Sequence, residues 1–499
     1  MLTNYKHIMK SRMSKFCVAL ATAVLLTVPS YAQFGNILNK AKEAAGKAER
    51  VKAMVTPNES AKADLSTPAS GKIYYVSPSG SNRNDAGSPE TAVKDLQKAI
   101  DLAEEGSVIN IAEGNYLGKL DQGYIEVKKY LSLVGGWNSD FTERNPVKYI
   151  TSIRPGAAQV GTSGSHASLE VYVRGKRNAS VLIDGIAFDK GQYNSYCSYA
   201  PDDARTGSPE GCETGRLLIE GENPPVAKVG GAPIGKPLLR GEVEGLVTIR
   251  NCTFVNGYHF AIEMGCVAGH FDIYNNVFVA NRMSACEVRG MNPDQKLCSL
   301  DFHNNTVLFT WCRTKVQESM GVGFRFMTGL YQAKVYDNIF GCSNLGAIER
   351  TFVDSNAAKE SERITSAYDN LFFMNRNNMT EKAADLVLPS GGGKWLFLAA
   401  SQFEDAEQLK EYEGNREMAA DDNFIKAIDA AYLKGYMGIN IKSSSSYDPN
   451  SAANQVNRLF GMNQQGTEIV RASMFANRYP FEKAFELFGA VSGCGAQMP

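Results

Sequence analysis

One short pattern occurs five times in this chain: an alternating apolar strand, a polar corner built on asparagine or aspartate, and a second short apolar strand. The five copies are 249–254, 273–278, 302–307, 335–340 and 367–372. A repeat of this kind predicts stacked units that bury their apolar faces against one another. The step from Phe254 to Phe278 is too short for a strand and a crossover helix, so each unit must consist of short strands and turns.

The second residue of each corner is an asparagine in four of the copies. Stacking aligns Asn276, Asn305, Asn338 and Asn370. Each of these amides can hydrogen-bond to its neighbours above and below, which would hold the corners in register. Through these corners and the opening segment Ile73–Tyr116, the chain resembles the right-handed parallel β-helix family, the pectate-lyase-like fold. The resemblance covers residues 72–373. It implies an all-β solenoid with an N-terminal capping helix and a mixed, partly helical C-terminal cap.

The N-terminus indicates export. Basic residues up to Lys15 precede the apolar run Phe16–Val28, and small residues precede Gln33, which predicts a cleavable signal over residues 1–32. A retained membrane anchor is the alternative, but the run is short for a span. No cysteine follows the small-residue site, so no lipid anchor is indicated, and we expect no membrane span in the mature chain. The expected location is the periplasm, the outer surface or the medium.

The remaining chain divides into three regions. Residues 33–71 form a Lys/Glu/Ala-rich helical segment and a linker, and the helix could dock a protein partner or fray. Residues 72–373 form the solenoid. Residues 374–499 form a cap region, which we expect to cover the open end because exposed strand edges invite pairing with other chains. With 52 basic and 53 acidic residues, the composition suggests no nucleic-acid partner.

The cysteines predict no metal site. Without Cys17 the mature chain has an odd number, so at least one is unpaired. Cys252 and Cys286 fall at inward positions, where a thiol acts as a small hydrophobic group. Cys197 and Cys212 bracket a polar loop and could close it in an oxidising compartment. No CxxC or histidine-rich spacing suggests zinc.

Charged residues are predicted to share one strand position in successive coils. They are Glu263, Glu287, Arg325 and Glu349. Alternation turns this position away from the core, so we expect a solvent-facing column. Neighbouring strands lie about 4.8 Å apart, so Glu263 and Glu287 would be like charges in near contact. Such a pair raises one pKa, attracts a cation or recruits a basic residue. Arg289 and Arg325 are the obvious basic residues.

Several functions remain open for this column. Chain extensions flank it, which predicts a groove. In pectate-lyase-like proteins the corresponding face is the usual place for polysaccharide, so the resemblance implies eliminative cleavage of a uronic-acid polymer, or hydrolysis. In a lyase, Arg289 or Arg325 would be the base, and Glu263 with Glu287 would hold calcium (Ca2+). In a hydrolase, Glu263 and Glu287 would be the two catalytic carboxylates. Glu349 belongs to the same candidate catalytic set.

Two observations favour less specific functions. The chain lacks an Asn-Gly-Glu triplet followed closely by Lys, and it lacks a clustered aspartate motif of the polygalacturonase kind. The alternative is therefore a non-catalytic cell-surface or periplasmic solenoid that binds glycans or proteins. A purely structural ladder of surface ion pairs also fits.

A second outward column precedes the corners: Arg250, Tyr274, His303, Tyr336 and Tyr368. Stacked aromatic side chains could form a platform for sugar rings or a docking stripe for a protein. The plainer interpretation is that they pack beneath the C-terminal cap segments. His303 would then be a member of the stack and not a catalyst.

Overall fold

Strands of the repeat stack in parallel, one above the other, in three sheets. A computed structural model describes residues 71–118, 124–154, 166–189, 237–257, 260–291, 296–310, 321–326, 330–343, 345–350, 363–375, 383–390, 394–418, 422–429, 432, 441–443, 467–469 and 479–499. The proposed export signal, the N-terminal helical segment, Cys197 and Cys212 lie outside these residues.

Sheet 1 holds the strands that enter the Asn/Asp corners. Its members are β1 (Ile73–Val76), β2 (Val108–Ala112), β5 (Ser132–Trp137), β8 (Ser180–Asp184), the second halves of β10 (Leu239–Arg250) and β12 (Phe260–Tyr274), β15 (Cys298–His303), β18 (Gln332–Tyr336) and β21 (Ile364–Tyr368). Sheet 2 holds the short strands that leave the corners. Its members are β3 (Gly114–Asn115), β6 (Thr151–Ile153), β9 (Ile186–Asp189), β11 (Thr253–Val255), β13 (Val277–Val279), β16 (Thr306–Leu308), β19 (Ile339–Gly341), β22 (Leu371–Phe373) and β25 (Arg416–Glu417).

Sheet 3 completes each coil. Its members are β4 (Ile125–Val127), β7 (Leu169–Val173), the first halves of β10 and β12, β14 (Ser284–Gly290), β17 (Val322–Phe326), β20 (Gly346–Arg350) and β23 (Leu386–Ser390), with β24 (Lys394–Leu398) added antiparallel to β23. Because β10 and β12 run through both sheets, sheets 1 and 3 are continuous at these coils. The repeat therefore builds a parallel β-helix, in which Phe254 pairs with Phe278 and Tyr274 with His303, as the sequence predicts.

The other elements are short. They are the helices α1 (Leu96–Leu102) and α2 (Asp422–Ala427), the 3₁₀ helices Pro89–Thr91, Ala400–Asp405 and Glu482–Leu487, and the antiparallel pair β26 (Ile441–Ser443) and β27 (Thr467–Ile469). None of the described helices is both long enough and apolar enough to cross a membrane.

The corners explain why asparagine and aspartate recur. The first corner residue has a positive φ of 50–56° at Asn251, Asn275, Asn304, Asp337 and Asp369. Asparagine and aspartate tolerate this left-handed conformation better than most residues. The second corner residue is buried, and its amide bonds to the next coil: Asn276 Nδ2 donates to Asn305 Oδ1 at 3.0 Å, and Asn305 Nδ2 to Asn338 Oδ1 at 3.1 Å. The row continues through Asn370 to Asn415.

The core lies inside the coils. Phe188, Phe254 and Phe278 stack there with ring centroids 4.9 Å apart, and Cys252 and Cys286 are fully buried in the same core, as predicted. At the C-terminal end Phe403 packs edge-on against Phe372 at 5.5 Å. This contact covers the end of the core.

From β6 to β22, sheet 2 is buried on both faces, whereas its outermost strands β3 and β25 are not. Its outward side chains, among them Val255, Val279 and Phe373, pack against residues 479–499 and α2. The C-terminal region, which was expected to cover the open end, thus also covers one side of the solenoid. The last residues lie along the side of the solenoid, because the outward positions of sheet 2 are apolar and need a second cover.

Candidate functional site

The outer face of sheet 3 carries a row of charged side chains in consecutive coils, which we call the charged column. The paired positions are Glu126, Glu170, Arg240, Glu263, Glu287, Arg325 and Glu349. The predicted alignment of the last four is confirmed. Ile262 and Met264, on either side of Glu263, are buried in the core, so the column occupies the opposite face.

The later part of the column is not open to solvent. Glu287, Arg325 and Glu349, which we call the buried triad, are each less than a tenth exposed. The expectation of a solvent-facing column is therefore wrong for these three residues. Alternation decides which face of a strand a side chain occupies, but it does not decide whether other parts of the chain cover that face.

In the buried triad two carboxylates share one guanidinium. Arg325 Nη1 donates to Glu287 Oε2 at 3.2 Å and Nη2 donates to Glu349 Oε1 at 3.3 Å. Burial raises the pKa of Glu349 to about 7, although Arg325 opposes the shift. Burial likewise raises the pKa of Glu287, Arg325 again opposes this, and the like charge of Glu263 adds to it. Near neutral pH the triad therefore retains part of a proton.

Arg240 and Glu263, in the middle of the column, are partly exposed, whereas Glu170 one coil earlier is buried. With their neighbours, Arg240 and Glu263 form what we call the exposed charged face: Tyr172, Arg174, Arg240, Glu242, Glu263 and Arg289. Arg240 Nε lies 3.4 Å from Glu263 Oε2. Arg289 Nη2 lies 3.6 Å from Glu242 Oε1, and Arg174 contacts the same carboxylate. Every carboxylate of these pairs has a guanidinium beside it.

The arginines form the outermost layer of this face. The side chains of Arg174, Arg289 and Arg240 are 57%, 41% and 32% exposed. The side chains of Glu242 and Glu263 are 24% and 19% exposed. A ligand that approaches the face therefore meets guanidinium groups first.

A glycine at the centre of the face shapes it. Gly265 stands between Glu242 and Arg289 in the strand register, so Arg289 reaches the glutamate across a position without a side chain. A Cβ at Gly265 would lie 2.8 Å from Met291 Sδ. Met291 and Tyr172 are both exposed, and they add apolar surface beside the arginines.

The aromatic column on sheet 1 is a continuous stack. Ring centroids lie 4.9 Å apart for Tyr274 and His303, 4.8 Å for His303 and Tyr336, and 5.0 Å for Tyr336 and Tyr368, with planes within 6°. Because each ring covers the face of the next, the edges are left for solvent. A sugar could stack only on a terminal ring, so the sugar platform considered above does not form along the column.

His303 is a member of this stack, as the plainer interpretation requires. Residues 479–499 pack on sheet 2 and meet the column at its corner, where the Gln497 N–H donates to Asn275 Oδ1 at 2.6 Å. The C-terminal segment that was expected to cover the rings therefore packs mostly on sheet 2.

No family model matches this chain, and no curated protein matches it. Among solved structures it is similar to pectate lyase Pel9A, with 11% identity and a TM-score of 0.32 over 64% of this chain and 78% of that one. It is also similar to a pectin methylesterase in complex with a hexasaccharide, with 12% identity and a TM-score of 0.31 over 70% and 90%. A pectin methylesterase from Aspergillus niger gives 13% identity and a TM-score of 0.28 over 71% and 89%.

The three parallel sheets decide the fold. The chain is a parallel β-helix. At these identities and TM-scores the likeness carries no argument about activity, which must be argued from the side chains of this β-helix.

The five predicted site residues of the β-helix fall into two groups. Glu263 and Arg289 lie on the exposed charged face, whereas Glu287, Arg325 and Glu349 form the buried triad. Arg325 cannot reach a polymer from this position, so Arg289 is the more accessible of the two candidate bases.

Glu263 and Glu287 are poorly suited to bind calcium. The two residues pair in register, but Arg240 faces the first carboxylate and Arg325 the second. Calcium takes six to eight oxygen ligands. In the part of the chain that the structure describes, no three His, Cys, Asp or Glu side chains form a group suited to a metal ion. Calcium binding there stays a prediction.

Sequence reasoning missed Arg240 and Glu242. Arg240 stands ten residues before Arg250, whereas Glu263 stands eleven before Tyr274, because the pairing shifts register between Val243 and Glu244. Counting back from the corner with an allowance for one bulge would have found both residues.

Proposed function

We propose that this β-helix binds an acidic polysaccharide on the exposed charged face. The observation that carries the proposal is that Arg174, Arg240 and Arg289 stand further into solvent than the carboxylates beside them. Guanidinium groups pair with carboxylates in a two-pronged geometry, which suits a polymer that carries one acid group per sugar. Tyr172 and Met291 supply apolar surface for the faces of the sugar rings.

Binding without catalysis is the form of the proposal that the geometry favours. Lyase and hydrolase chemistry both need groups that reach the substrate, and of the five predicted catalytic residues only Glu263 and Arg289 are accessible. Cleavage would have to rely on these two residues. Turnover is therefore the second function to test, with and without calcium.

We also propose that the mature protein is exported. The proposal rests on Lys15, the apolar run Phe16–Val28 and the small residues before Gln33. N-terminal sequencing of the protein recovered from the producing cells tests it, and a first residue at position 33 is expected. A chain that still begins at Met1 would contradict it.

A polysaccharide panel tests the function. The full mature chain is titrated against acidic and neutral polymers, with and without calcium, while unsaturated products and reducing ends are followed together. We expect saturable binding to acidic polymers, weakened about tenfold by Arg289→Ala, since losing one charge-assisted contact costs about 1.4 kcal/mol.

The matched control is Leu246→Ala, which removes an exposed side chain from sheet 1 of the same solenoid. It should leave binding unchanged. Absence of binding to every polymer would overturn the proposal, and product formation that is lost in Arg289→Ala would replace binding with catalysis.

A further inference from the structure

His303 occupies the middle of the aromatic column. Its ring lies between Tyr274, at 4.9 Å and 6°, and Tyr336, at 4.8 Å and 4°. The side chain is 19% exposed. A ring held on both faces in this way can move only if the stack opens, so the contacts at its edge are fixed by the fold.

Both nitrogens of this ring meet an oxygen acceptor. Nε2 lies 3.1 Å from Asp272 Oδ1, and Nδ1 lies 2.9 Å from Asn304 Oδ1. A neutral imidazole has one N–H and one lone pair, so it can donate to only one of these oxygens. The doubly protonated ring donates to both. We propose that His303 is held as an imidazolium to a higher pH than an ordinary histidine and acts as a pH-sensitive fastener of the aromatic column.

The charges around the ring favour this state. Asp272 faces it from β12, Asp301 lies on its own strand, and Asp337 follows Tyr336 on β18. Lys334 on β18 is the opposing cation, but it pairs in register with Asp301 and not with His303. The faces of Tyr274 and Tyr336 add cation–π attraction.

The balance of these forces sets the direction of the titration. Burial lowers the pKa of His303, but the hydrogen bonds to Asp272 and Asn304 and the charges of Asp272 and Asp301 outweigh it, so the pKa is raised. The stabilisation is complete below the ordinary histidine pKa and is lost as the pH rises through the raised value. Once the proton leaves, a lone pair faces an acceptor oxygen and the cation–π attraction ends. The column then loosens.

Imidazole nitrogen NMR tests the fastener on the full mature chain labelled with ¹⁵N-histidine. Of the five histidines, four remain after residue 32, and His303→Gln identifies the signal of interest. We expect both nitrogens to be protonated at low pH, and the proton to be lost with a midpoint above that of free histidine. In Asp272→Asn the midpoint should fall by about one pH unit. In the control Asp140→Asn, at an exposed turn, it should not move.

Two results would overturn the proposal. One is a wild-type midpoint at or below that of free histidine. The other is the same midpoint in Asp272→Asn and the wild type. If His303→Gln does not fold, single His→Gln replacements at 166, 259 and 270 assign the remaining signal by elimination, and the wild-type titration decides.

Discussion

Two neighbouring parts of the charged column, the pair of Arg240 with Glu263 and the buried triad, have the same strand position and the same residue types but different physical environments. At Arg240 and Glu263 water screens the charges, so the ion pair contributes at most about 1 kcal/mol and the guanidinium is available to a ligand. At Glu287, Arg325 and Glu349 the charges are desolvated and no ligand can reach them. Register alone therefore does not make a binding site.

The largest effect should follow removal of the shared guanidinium. Arg325→Met would leave Glu287 and Glu349 buried without the cation between them, and breaking a buried ion pair in this way costs about 3–5 kcal/mol. Urea unfolding at pH 8 measures it. The matched change on the exposed charged face, Arg240→Met, should cost less than about 1 kcal/mol. Equal losses of stability in the two variants would show that Arg240 and Arg325 do not differ in burial.

The next effect is a change in pH dependence. Because the folded pKa of Glu349 is about 7 against an ordinary value of 4.5, folding holds a proton that the unfolded chain releases. The contribution of Glu349 to stability should therefore fall as the pH rises from about 4.5 to 7 and then level off. Glu349→Gln should remove this contribution, whereas the contributions of Glu287 and His303, whose pKa values are also raised, should persist. The variant would be more stable than the wild type by about 3 kcal/mol at pH 8 and equal to it below pH 4.5.

Unfolding midpoints at several pH values give both profiles. A variant whose profile runs parallel to that of the wild type would contradict the assignment of this proton to Glu349. Glu287 then becomes the candidate, since its pKa is raised by the same burial.

Much of the fold could be predicted because the repeat is local. Asn275 and Asn276 specify a corner through a left-handed residue and a buried amide, and both signals lie in adjacent positions. The same count aligned Glu263 with Glu287. Arg240 was not predicted because β12 has one more residue than β10 between this strand position and the corner.

The parts that could not be predicted depend on contacts between distant segments. Nothing next to Glu349 in the sequence indicates that its outward face is covered. The sequence does contain a weak indication that sheet 2 is covered. The strands Thr253–Val255 and Leu371–Phe373 are nearly apolar on both faces, which is typical of strands buried on both sides. That signal predicts a cover but not that residues 479–499 supply it.

Two glycines, one on the exposed charged face and one in the strand of Arg325, allow the packing of the two parts of the column to be compared. A Cβ at Gly323, in the strand of Arg325, would lie 2.8 Å from both Ala347 O and Phe340 Cδ1. Gly323→Ala should therefore cost about 1–3 kcal/mol, because backbone and a core ring must shift. At Gly265 the near atom is the end of the flexible Met291 side chain.

Gly265→Ala should accordingly change stability by less than about 1 kcal/mol. Its displaced Met291 would crowd the contact of Arg289 with Glu242, so binding of an acidic polymer should weaken. Thermal unfolding and binding titrations on both variants separate the two effects. A Gly265→Ala variant as unstable as Gly323→Ala would mean that the exposed face is packed as tightly as the core.

The smallest effect concerns the shape of one cation. Arg289→Lys keeps the positive charge on the exposed charged face but replaces a planar fork with a point charge. We expect no measurable loss of stability, since the contact with Glu242 is exposed and 3.6 Å long. Affinity for an acidic polymer should fall about threefold, less than for Arg289→Ala, because attraction persists while paired hydrogen bonding to a carboxylate is lost. Equal affinities for Arg289→Lys and the wild type would mean that the face attracts its ligand by charge alone. Equal affinities for Arg289→Lys and Arg289→Ala would mean that the planar guanidinium supplies the whole contribution of Arg289 to binding.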